Sequence, residues 1–214
     1  WRVLTTKTDE DVTKYMLLSE KILISDVAFY PHLSVNRTIN NQTVYSNNYK
    51  HSSIRAFLNG LSFEEKPSDS DPQSSNSDYL SKGFLQQAFT STHQTKISET
   101  TVDNSAASTI DSYEYLEQAT LYACDNTIDK IFLLSELEIT TSEYKFNTDS
   151  SRIRFPTDFA WANYCDGFWL LRSPESKVSY TNGIVNYAGD YKTFQPVDRT
   201  YGGIVPALWL ELPQ

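Results

Sequence analysis

The sequence has few of the residues on which several common functional classes depend. Its 214 residues include two cysteines, three histidines and seven glycines. Two cysteines cannot staple a disulfide-rich mini-protein. Seven glycines are too few for the loops that bind dinucleotide phosphates, and no Gly-x-Ser-x-Gly nucleophile motif is present. His32, His51 and His93 lie in polar segments without the spacing of zinc ligands.

Positive charge and long apolar runs are also scarce. The chain has 18 Lys and Arg against 27 Asp and Glu, a net charge of -9, whereas nucleic-acid binding requires clustered basic residues. The longest apolar runs, Phe168–Leu171 and Ile204–Leu210, fall far short of the ~20 residues that span a bilayer. We therefore expect no nucleic-acid partner and no transmembrane segment. Because the sequence starts at Trp1 and no basic and apolar leader precedes it, we expect a mature or excised piece in which any export signal is no longer visible.

Aromatic residues, in contrast, are abundant. The chain has 14 Tyr, 11 Phe and 4 Trp, together with many Ser, Asn and Thr. Tyr combined with Asn and Ser is typical of adaptable recognition surfaces, but aromatic residues are also common in β-sheets. Composition alone leaves both interpretations open.

The N-terminal half contains four local signals. Apolar runs on either side of a polar turn at Thr8–Thr13 predict a hairpin. Ser52–Gly60 predicts a helix, with a serine cap, one apolar face and a terminal glycine. Leu80–Ala88 predicts a second helix. Residues 67–78, which have no apolar side chain apart from two prolines, predict a surface loop inserted in a single domain that spans residues 1–214.

The middle of the chain gives weaker patterns. Thr90–Thr109 is rich in Ser and Thr and predicts extended chain, and Tyr113–Ala123 suits a helix or an ordered loop. The apolar run Ile131–Ser135 predicts a strand buried on both faces. Pro156–Ala160 predicts the start of a helix capped by Thr157 or Asp158.

The last 50 residues carry the densest pattern. Phe168–Leu171 predicts a core strand that ends at Arg172-Ser173-Pro174. Asn182-Gly183 lies between two short runs of strand-forming residues and predicts a tight hairpin turn. Gly189–Gly203 predicts an aromatic, polar loop, and Ile204–Leu212 a terminal strand.

Six segments in chain order resemble an uncharacterised bacterial domain family known only as a domain of unknown function. They are Trp1–Leu4, Ser52–Asn59, Asp129–Ser135, Pro156–Ala160, Trp169–Pro174 and Gly203–Trp209. The family typically has Trp-Trp-Leu-Arg-Ser-Pro and Gly-Val-Arg-Pro-Ala-Leu where this chain has Leu170 in place of the second Trp and Val205 in place of Arg. Phe57 likewise replaces a Trp. If the missing Arg pairs with a carboxylate in the family, apolar packing replaces that pair here.

The resemblance implies a fold similar to C-type-lectin-like domains and to their relatives around the formylglycine-generating enzymes. The expected fold class is α+β, with mixed or antiparallel sheets, two or more short helices, and the first and last strands paired. The loops of Leu171–Tyr201 would then form an exposed ligand face. Fold does not fix function, but such domains commonly serve as binding modules on bacterial surfaces.

Candidate ligand-binding residues crowd this C-terminal segment, where exposed Tyr, Asn and Arg side chains are typical of binding surfaces. They are Tyr180, Asn182, Asn186, Tyr187, Asp190, Tyr191, Phe194, Arg199 and Tyr201. Packing of the loop on itself is the alternative interpretation. Five further residues are expected to have structural roles: Trp1, Arg55, Trp169, Arg172 and Trp209.

Catalytic and metal sites find little support. Cys165 has no histidine near it in sequence. The formylglycine-generating relatives work through a cysteine pair, but none of the six matched segments contains Cys124 or Cys165. A core or bridged pair is the favoured interpretation. Gln195–Asp198 and Asp69–Asp71 lack the full calcium-ligand patterns. We therefore predict no catalytic residue, cofactor or metal.

The sequence favours a non-catalytic, secreted or cell-surface module that binds a protein or carbohydrate ligand. The alternative is a structural or adhesin-type assembly domain of a larger surface protein. A third possibility is a receptor whose ligand loops, Ser179–Tyr201, are diversified between sibling sequences.

Overall fold

A computed structural model describes residues 1–9, 12–34, 36–64, 76–109, 120–191 and 193–213. In these ranges the protein is a mixed α/β structure of short, mostly antiparallel strands. The strands are β1 (Arg2–Asp9), β2 (Val12–Leu18), β3 (Lys21–Ile22), β4 (Arg37–Ile39), β5 (Gln42–Val44), β6 (Ser62–Glu64), β7 (Asn76–Asp78), β8 (Ile97–Ser98), β9 (Thr100–Val102), β10 (Thr127–Asp129), β11 (Ile131–Phe132), β12 (Phe155–Pro156), β13 (Trp169–Pro174), β14 (Thr181–Val185), β15 (Thr193–Pro196) and β16 (Ala207–Pro213). The helices are α1 (Ser53–Asn59), α2 (Phe84–Ala88), α3 (Ser91–Gln94), α4 (Ala106–Thr109), α5 (Asp149–Arg152) and α6 (Asp158–Ala162), with a 3₁₀ turn at Ser142–Tyr144.

The largest sheet joins the two ends of the chain. The predicted hairpin of β1 and β2 is confirmed, and β16 pairs with β2 along its whole length. The other edge of β16 is shared by β11 and β8. The predicted pairing of the first and last strands is therefore wrong, because the last strand pairs with the second. The reason is burial: β2 buries Met16 and Leu18, whereas β1 buries Leu4 alone among its described side chains.

Helix α1 has the ends that the sequence predicts. The Ser52 hydroxyl accepts a hydrogen bond from the Arg55 amide, and Gly60 ends the helix at a φ of 65°, in the left-handed region that favours glycine. The Asn59 side chain donates to the Ile131 carbonyl and accepts from the Ile131 amide. Arg55 Nε donates to both oxygens of the buried Asp129 carboxylate, at 2.8 and 3.1 Å. These bonds fix α1 against β10 and β11.

The buried run Ile131–Ser135 is only partly a strand. All five residues are buried, but regular pairing covers Ile131–Phe132 alone. Beyond this point the backbone is held by Arg172, whose amide donates to the Leu134 carbonyl and whose guanidinium donates to the Leu133 carbonyl. A buried backbone must find hydrogen bonds somewhere, and here one backbone amide of β13 and one side chain replace a regular strand pairing.

The predicted turn at Asn182-Gly183 is wrong. Both residues lie inside β14, the central strand of the sheet β13-β14-β15, and the chain reverses between Pro174 and Thr181 instead. Asn182 is fully buried, and its Nδ2 donates to the carbonyl of Leu171 at 3.1 Å. A cross-strand hydrogen bond therefore replaces the turn that this dipeptide favours locally. The loop predicted at Gly189–Gly203 likewise contains β15.

Other predictions in the first half need correction. Thr90–Thr109 is not simply extended, because it forms α3, β8, β9 and α4. The second helix is confirmed but starts only at Phe84, and Leu80 is exposed outside it. Residues 76–78 form β7 and pair with β6, while residues 67–75 of the predicted loop lie outside the described residues. Of Tyr113–Ala123, residues 120–122 are helical and residues 113–119 are outside the described ranges.

The two cysteines are not bridged. The three tryptophans with predicted structural roles differ in their exposure. Cys124 and Cys165 are free thiols. Trp169 is fully buried and donates from Nε1 to the Arg152 carbonyl at 3.1 Å, and Trp209 is also buried. Trp1 is 48% exposed. Within the described ranges, no helix combines the length and the apolar composition needed to cross a bilayer.

Arg172 is a charged residue whose side chain is almost completely enclosed by the core. Its guanidinium donates to the carbonyls of Leu133 and Asp103 and forms an ion pair with Glu138. Burial disfavours the charged form, but the Glu138 carboxylate outweighs this effect and raises the pKa of Arg172. The side chain therefore remains charged and joins three segments that no β-ladder connects.

We expect Arg172→Met to lower the free energy of unfolding by about 3 kcal/mol, because the substitution leaves Glu138 and two carbonyl groups without their donor. Arg199→Met is the matched control, since Arg199 is half exposed and makes only loose contacts, an ion pair with Asp198 at 3.8 Å and a guanidinium 6.0 Å from the centre of the Tyr201 ring; the substitution should change stability by less than about 0.5 kcal/mol. Urea unfolding of both variants measures the difference. Equal midpoints would show that the Arg172 contacts add no net stability.

Candidate recognition surface

Four large aromatic side chains project into solvent from one ten-residue segment. Their exposed fractions are 72% for Phe155, 64% for Phe159, 69% for Trp161 and 84% for Tyr164. Exposed apolar side chains are unremarkable when scattered singly, whereas contiguous apolar patches mark interaction sites; four such rings within ten residues make this segment a candidate. We call these four residues the aromatic surface.

The backbone beneath the aromatic surface is firmly docked. β12 pairs in parallel with β3, and the Thr157 amide donates to the Ile22 carbonyl at 2.9 Å. The Thr157 hydroxyl caps α6, as the sequence predicts. The buried Ser25 hydroxyl bonds the carbonyls of Ala160 and Asn163, at 3.0 and 2.7 Å. Because these bonds tie both ends of α6 to the residues 21–25, the exposed rings stand on ordered backbone.

Helix α6 ends on an unfavourable residue. The Tyr164 amide donates to the Trp161 carbonyl and the Cys165 amide to the Ala160 carbonyl, which is the bonding of a Schellman C-cap. This cap places Tyr164 at a φ of 63°, a conformation that glycine adopts freely and that costs other residues free energy. A bulky, exposed tyrosine at this position is the kind of local strain that is found at functional sites.

Sequence reasoning identified only a helix start here and missed the aromatic surface. The available signal was the spacing Phe159-Ala160-Trp161. Aromatic residues two apart cannot share one buried face of a helix, whose apolar positions recur at three and four residues. The pattern therefore predicts outward-facing rings around one small buried residue, and Ala160 is that residue.

The nine predicted ligand residues divide into three groups. Tyr180, Tyr187, Phe194 and Arg199 are exposed, whereas Asn182 is buried in β14. The other four, Asn186, Asp190, Tyr191 and Tyr201, are partly buried. The structure therefore does not present the nine side chains together on one open surface.

Three of the partly buried residues make contacts within the fold. The Tyr191 ring lies 4.8 Å from the Arg152 guanidinium carbon, and the Tyr201 ring packs edge-on against Phe168. Asn186 Oδ1 accepts hydrogen bonds from the amides of Ala188 and Asp190. These contacts match the alternative interpretation, in which the loop packs on itself.

Tyr187 is the most exposed of the nine and stands at the tip of a closed turn. The Asn186 amide donates to the Asp190 carbonyl and the Gly189 amide to the Asn186 carbonyl, both at 2.9 Å. The buried Arg152 Nε donates to the Gly189 carbonyl, also at 2.9 Å. The turn therefore holds the Tyr187 ring out from a fixed base.

The end of the predicted ligand loop lies beside the aromatic surface. The Asp166 amide donates to the Tyr201 carbonyl at 3.2 Å, and the Asp26 amide to the Thr200 carbonyl at 2.7 Å. Thr200 and Tyr201 are thus bonded to the same two segments that carry and support α6. Of the predicted residues, Tyr201 makes such a bond itself, and Arg199 lies two positions before it in the chain.

Cys165 directly follows the aromatic surface in the chain. Burial raises the pKa of the Cys165 thiol, and a protonated thiol is a poor nucleophile. In the ranges that the structure describes, no three His, Cys, Asp or Glu side chains come together as metal ligands. Asp69–Asp71 lie outside those ranges.

We expect Tyr164→Gly to raise the free energy of unfolding by about 1 kcal/mol, because glycine relieves the left-handed strain at the helix end. Tyr187→Gly is the control, since Tyr187 has an ordinary negative φ and glycine there should lower stability by roughly 0.5–1 kcal/mol. Thermal unfolding of both variants measures the two signs. Destabilisation by Tyr164→Gly would mean that the tyrosine ring contributes contacts that outweigh the strain.

Comparisons with known proteins identify a family and nothing more specific. No curated protein and no solved structure matches the chain. The model of one family, described as a domain of unknown function (DUF6273), matches residues 13–212. This chain therefore belongs to that uncharacterised domain family.

Proposed function

We propose that this domain is a non-catalytic binding module, secreted or at a cell surface, that recognises a glycan or protein ligand. The observation that carries the proposal is the aromatic surface: four exposed rings on ten residues of hydrogen-bonded backbone. Rigid aromatic side chains give large contact area for little loss of conformational entropy, which is why they dominate binding energetics. The relation to C-type-lectin-like folds belongs to the same proposal and is supported by the mostly antiparallel strands and by β16 closing on the N-terminal hairpin.

A carbohydrate is the ligand class that the surface favours. One face of a sugar ring is lined with C–H groups and suits the electron-rich face of an aromatic ring, while its edge carries hydroxyl groups. Exposed carboxylates of Asp158 and Asp166 lie in the same segment as the rings and can accept hydrogen bonds from such hydroxyls. Tyr201, which adjoins the surface, and Arg199 extend the set of donors.

The test is binding to an array of glycans and bacterial cell-wall fragments, followed by titration of the best ligand. We expect the double substitution Phe159→Ala and Trp161→Ala to weaken binding at least tenfold. Truncation of an aromatic anchor near the centre of an interface costs about 2 kcal/mol or more of binding free energy. Both side chains are exposed, so the thermal unfolding midpoint should change little.

Ile128→Ala is the matched control, because Ile128 is 65% exposed on β10 and lies outside the aromatic surface. This variant should bind like the parent. Tyr187→Ala tests the ligand loop separately, whereas Tyr191→Ala is a poor probe because Tyr191 packs on Arg152. Binding that survives the double substitution would contradict a role for the aromatic surface.

Assembly with sibling domains is the second candidate function, and the same four exposed rings are the observation that favours it. An apolar surface that binds another copy gives self-association that depends on protein concentration. Sedimentation velocity separates the two functions: we expect a monomer over the concentration range of the binding assay. A dimer that dissociates on the Phe159→Ala and Trp161→Ala substitutions would favour assembly.

A further inference from the structure

A second site candidate lies away from the aromatic surface, in a cavity of about 310 Å³. The cavity is enclosed by β4, the turn at Lys50–Ser52, the first half of α1, and β6. Its volume is at the lower end of the range typical of small-molecule sites. Three cationic side chains and a histidine line it, Arg37, Lys50, Arg55 and His51, in a chain whose net charge is -9.

Two of the three cations already have carboxylate partners. Lys50 Nζ is 2.7 Å from Asp125 Oδ2. Arg55 Nε is 2.8 Å from the buried Asp129 carboxylate. The positive charge that remains belongs to Arg37.

Arg37 is buried, with 5% of its surface exposed, and no carboxylate among the described side chains pairs with it. Its guanidinium carbon lies 4.4 Å from the centre of the Tyr30 ring, and Nη2 donates to the His51 carbonyl at 2.7 Å. Nε is buried and has no hydrogen-bond partner. Burial of a cation without a counterion is costly, and burial lowers the pKa of Arg37 accordingly.

The peptide of Lys50 and His51 is clamped between two arginines. Arg55 Nη1 donates to the Lys50 carbonyl at 3.0 Å, and Arg37 Nη2 donates to the His51 carbonyl at 2.7 Å. The clamp fixes the His51 ring at the wall of the cavity. Burial, together with the charges of Arg37, Lys50 and Arg55, lowers the pKa of His51 to about 4. At neutral pH this ring is uncharged and can donate or accept one hydrogen bond.

We infer that this cavity is a binding site for a small organic carboxylate. The carboxylate would form a charge-assisted hydrogen bond with the Arg37 guanidinium and would receive further attraction from Lys50. The remaining lining combines the apolar side chains of Ile39, Leu61 and Phe63 with Ser52 and Ser62, so it suits a ligand with a small hydrocarbon body. An anion in this cavity would also supply a counterion that the described side chains do not give Arg37.

The test uses benzoate as the probe and benzyl alcohol as its neutral counterpart, at low ionic strength. Ring signals of the three histidines, followed by nuclear magnetic resonance, report the site of binding. We expect benzoate to shift His51 saturably and to bind at least tenfold more tightly than benzyl alcohol. His93 serves as an internal reference, because it lines a separate apolar cavity with Trp1 and Phe89.

Arg37→Gln should weaken benzoate binding at least tenfold, and Lys50→Gln several-fold. Lys82→Gln removes a charge from an exposed residue outside the cavity and should leave affinity unchanged. If Arg37→Gln does not fold, the comparison of Lys50→Gln with Lys82→Gln decides the question, since Lys50 is partly exposed and not part of the core.

Three results would overturn the inference: equal affinity for benzoate and benzyl alcohol, unchanged binding in the folded Arg37→Gln or Lys50→Gln variants, or a shift confined to His93. Inorganic phosphate is titrated in parallel. Displacement of benzoate by phosphate at lower concentration would assign the cavity to phosphate esters and reject a carboxylate. Because the aromatic surface shares no residue with this cavity, the outcome is independent of the proposed recognition function.

Discussion

Buried arginine side chains hold together the parts of this protein that regular secondary structure does not reach. Arg172 donates to the carbonyls of Leu133 and Asp103, and Arg152 to those of Gly189 and Phe146. Arg154 bonds the Ser19 carbonyl across 135 residues of sequence. Backbone groups that leave water must be paired, and short strands with long connections leave many of them unpaired. A guanidinium, with five donors on a long stem, can satisfy several carbonyls at once.

This use of arginine separates the scaffold from the surfaces that can act on other molecules. Arg152, Arg154 and Arg172 bond mainly to backbone carbonyls, and none of the three lines the cavity beside α1. Arg37 is buried to the same degree and, like Arg154, has no carboxylate partner among the described side chains; it differs because it borders a cavity. The aromatic surface differs in the opposite way, since its side chains are apolar and yet exposed. Both features run against the usual distribution of residues between core and surface, and such exceptions are more informative about function than the core is.

The sequence segments that carry the family resemblance lie in the scaffold. Ser52–Asn59 and Asp129–Ser135 contact each other through Arg55, Asn59 and the buried Asp129 carboxylate. Trp169–Pro174 contributes Arg172, and Val205 in the last segment is fully buried. Of these segments, Pro156–Ala160 is the one that also reaches the aromatic surface, through Phe159. A resemblance built on these segments therefore describes how the domain folds and says little about what it binds.

The sequence alone determined the features that depend on neighbouring residues. The serine cap and terminal glycine of α1, the threonine cap of α6 and the N-terminal hairpin all follow from interactions within a few positions, so local pattern predicted them. Tertiary structure decided the rest. Asn182-Gly183 became the interior of a strand because β13 and β15 pair on either side of it, and β16 joined β2 because β2 has the more buried face. Local pattern also could not tell which aromatic rings face solvent: Tyr191 and Tyr201 found packing partners far away in sequence, while Phe159 and Trp161 did not. Exposure is a property of what the rest of the chain covers, and that is settled only when distant segments pack.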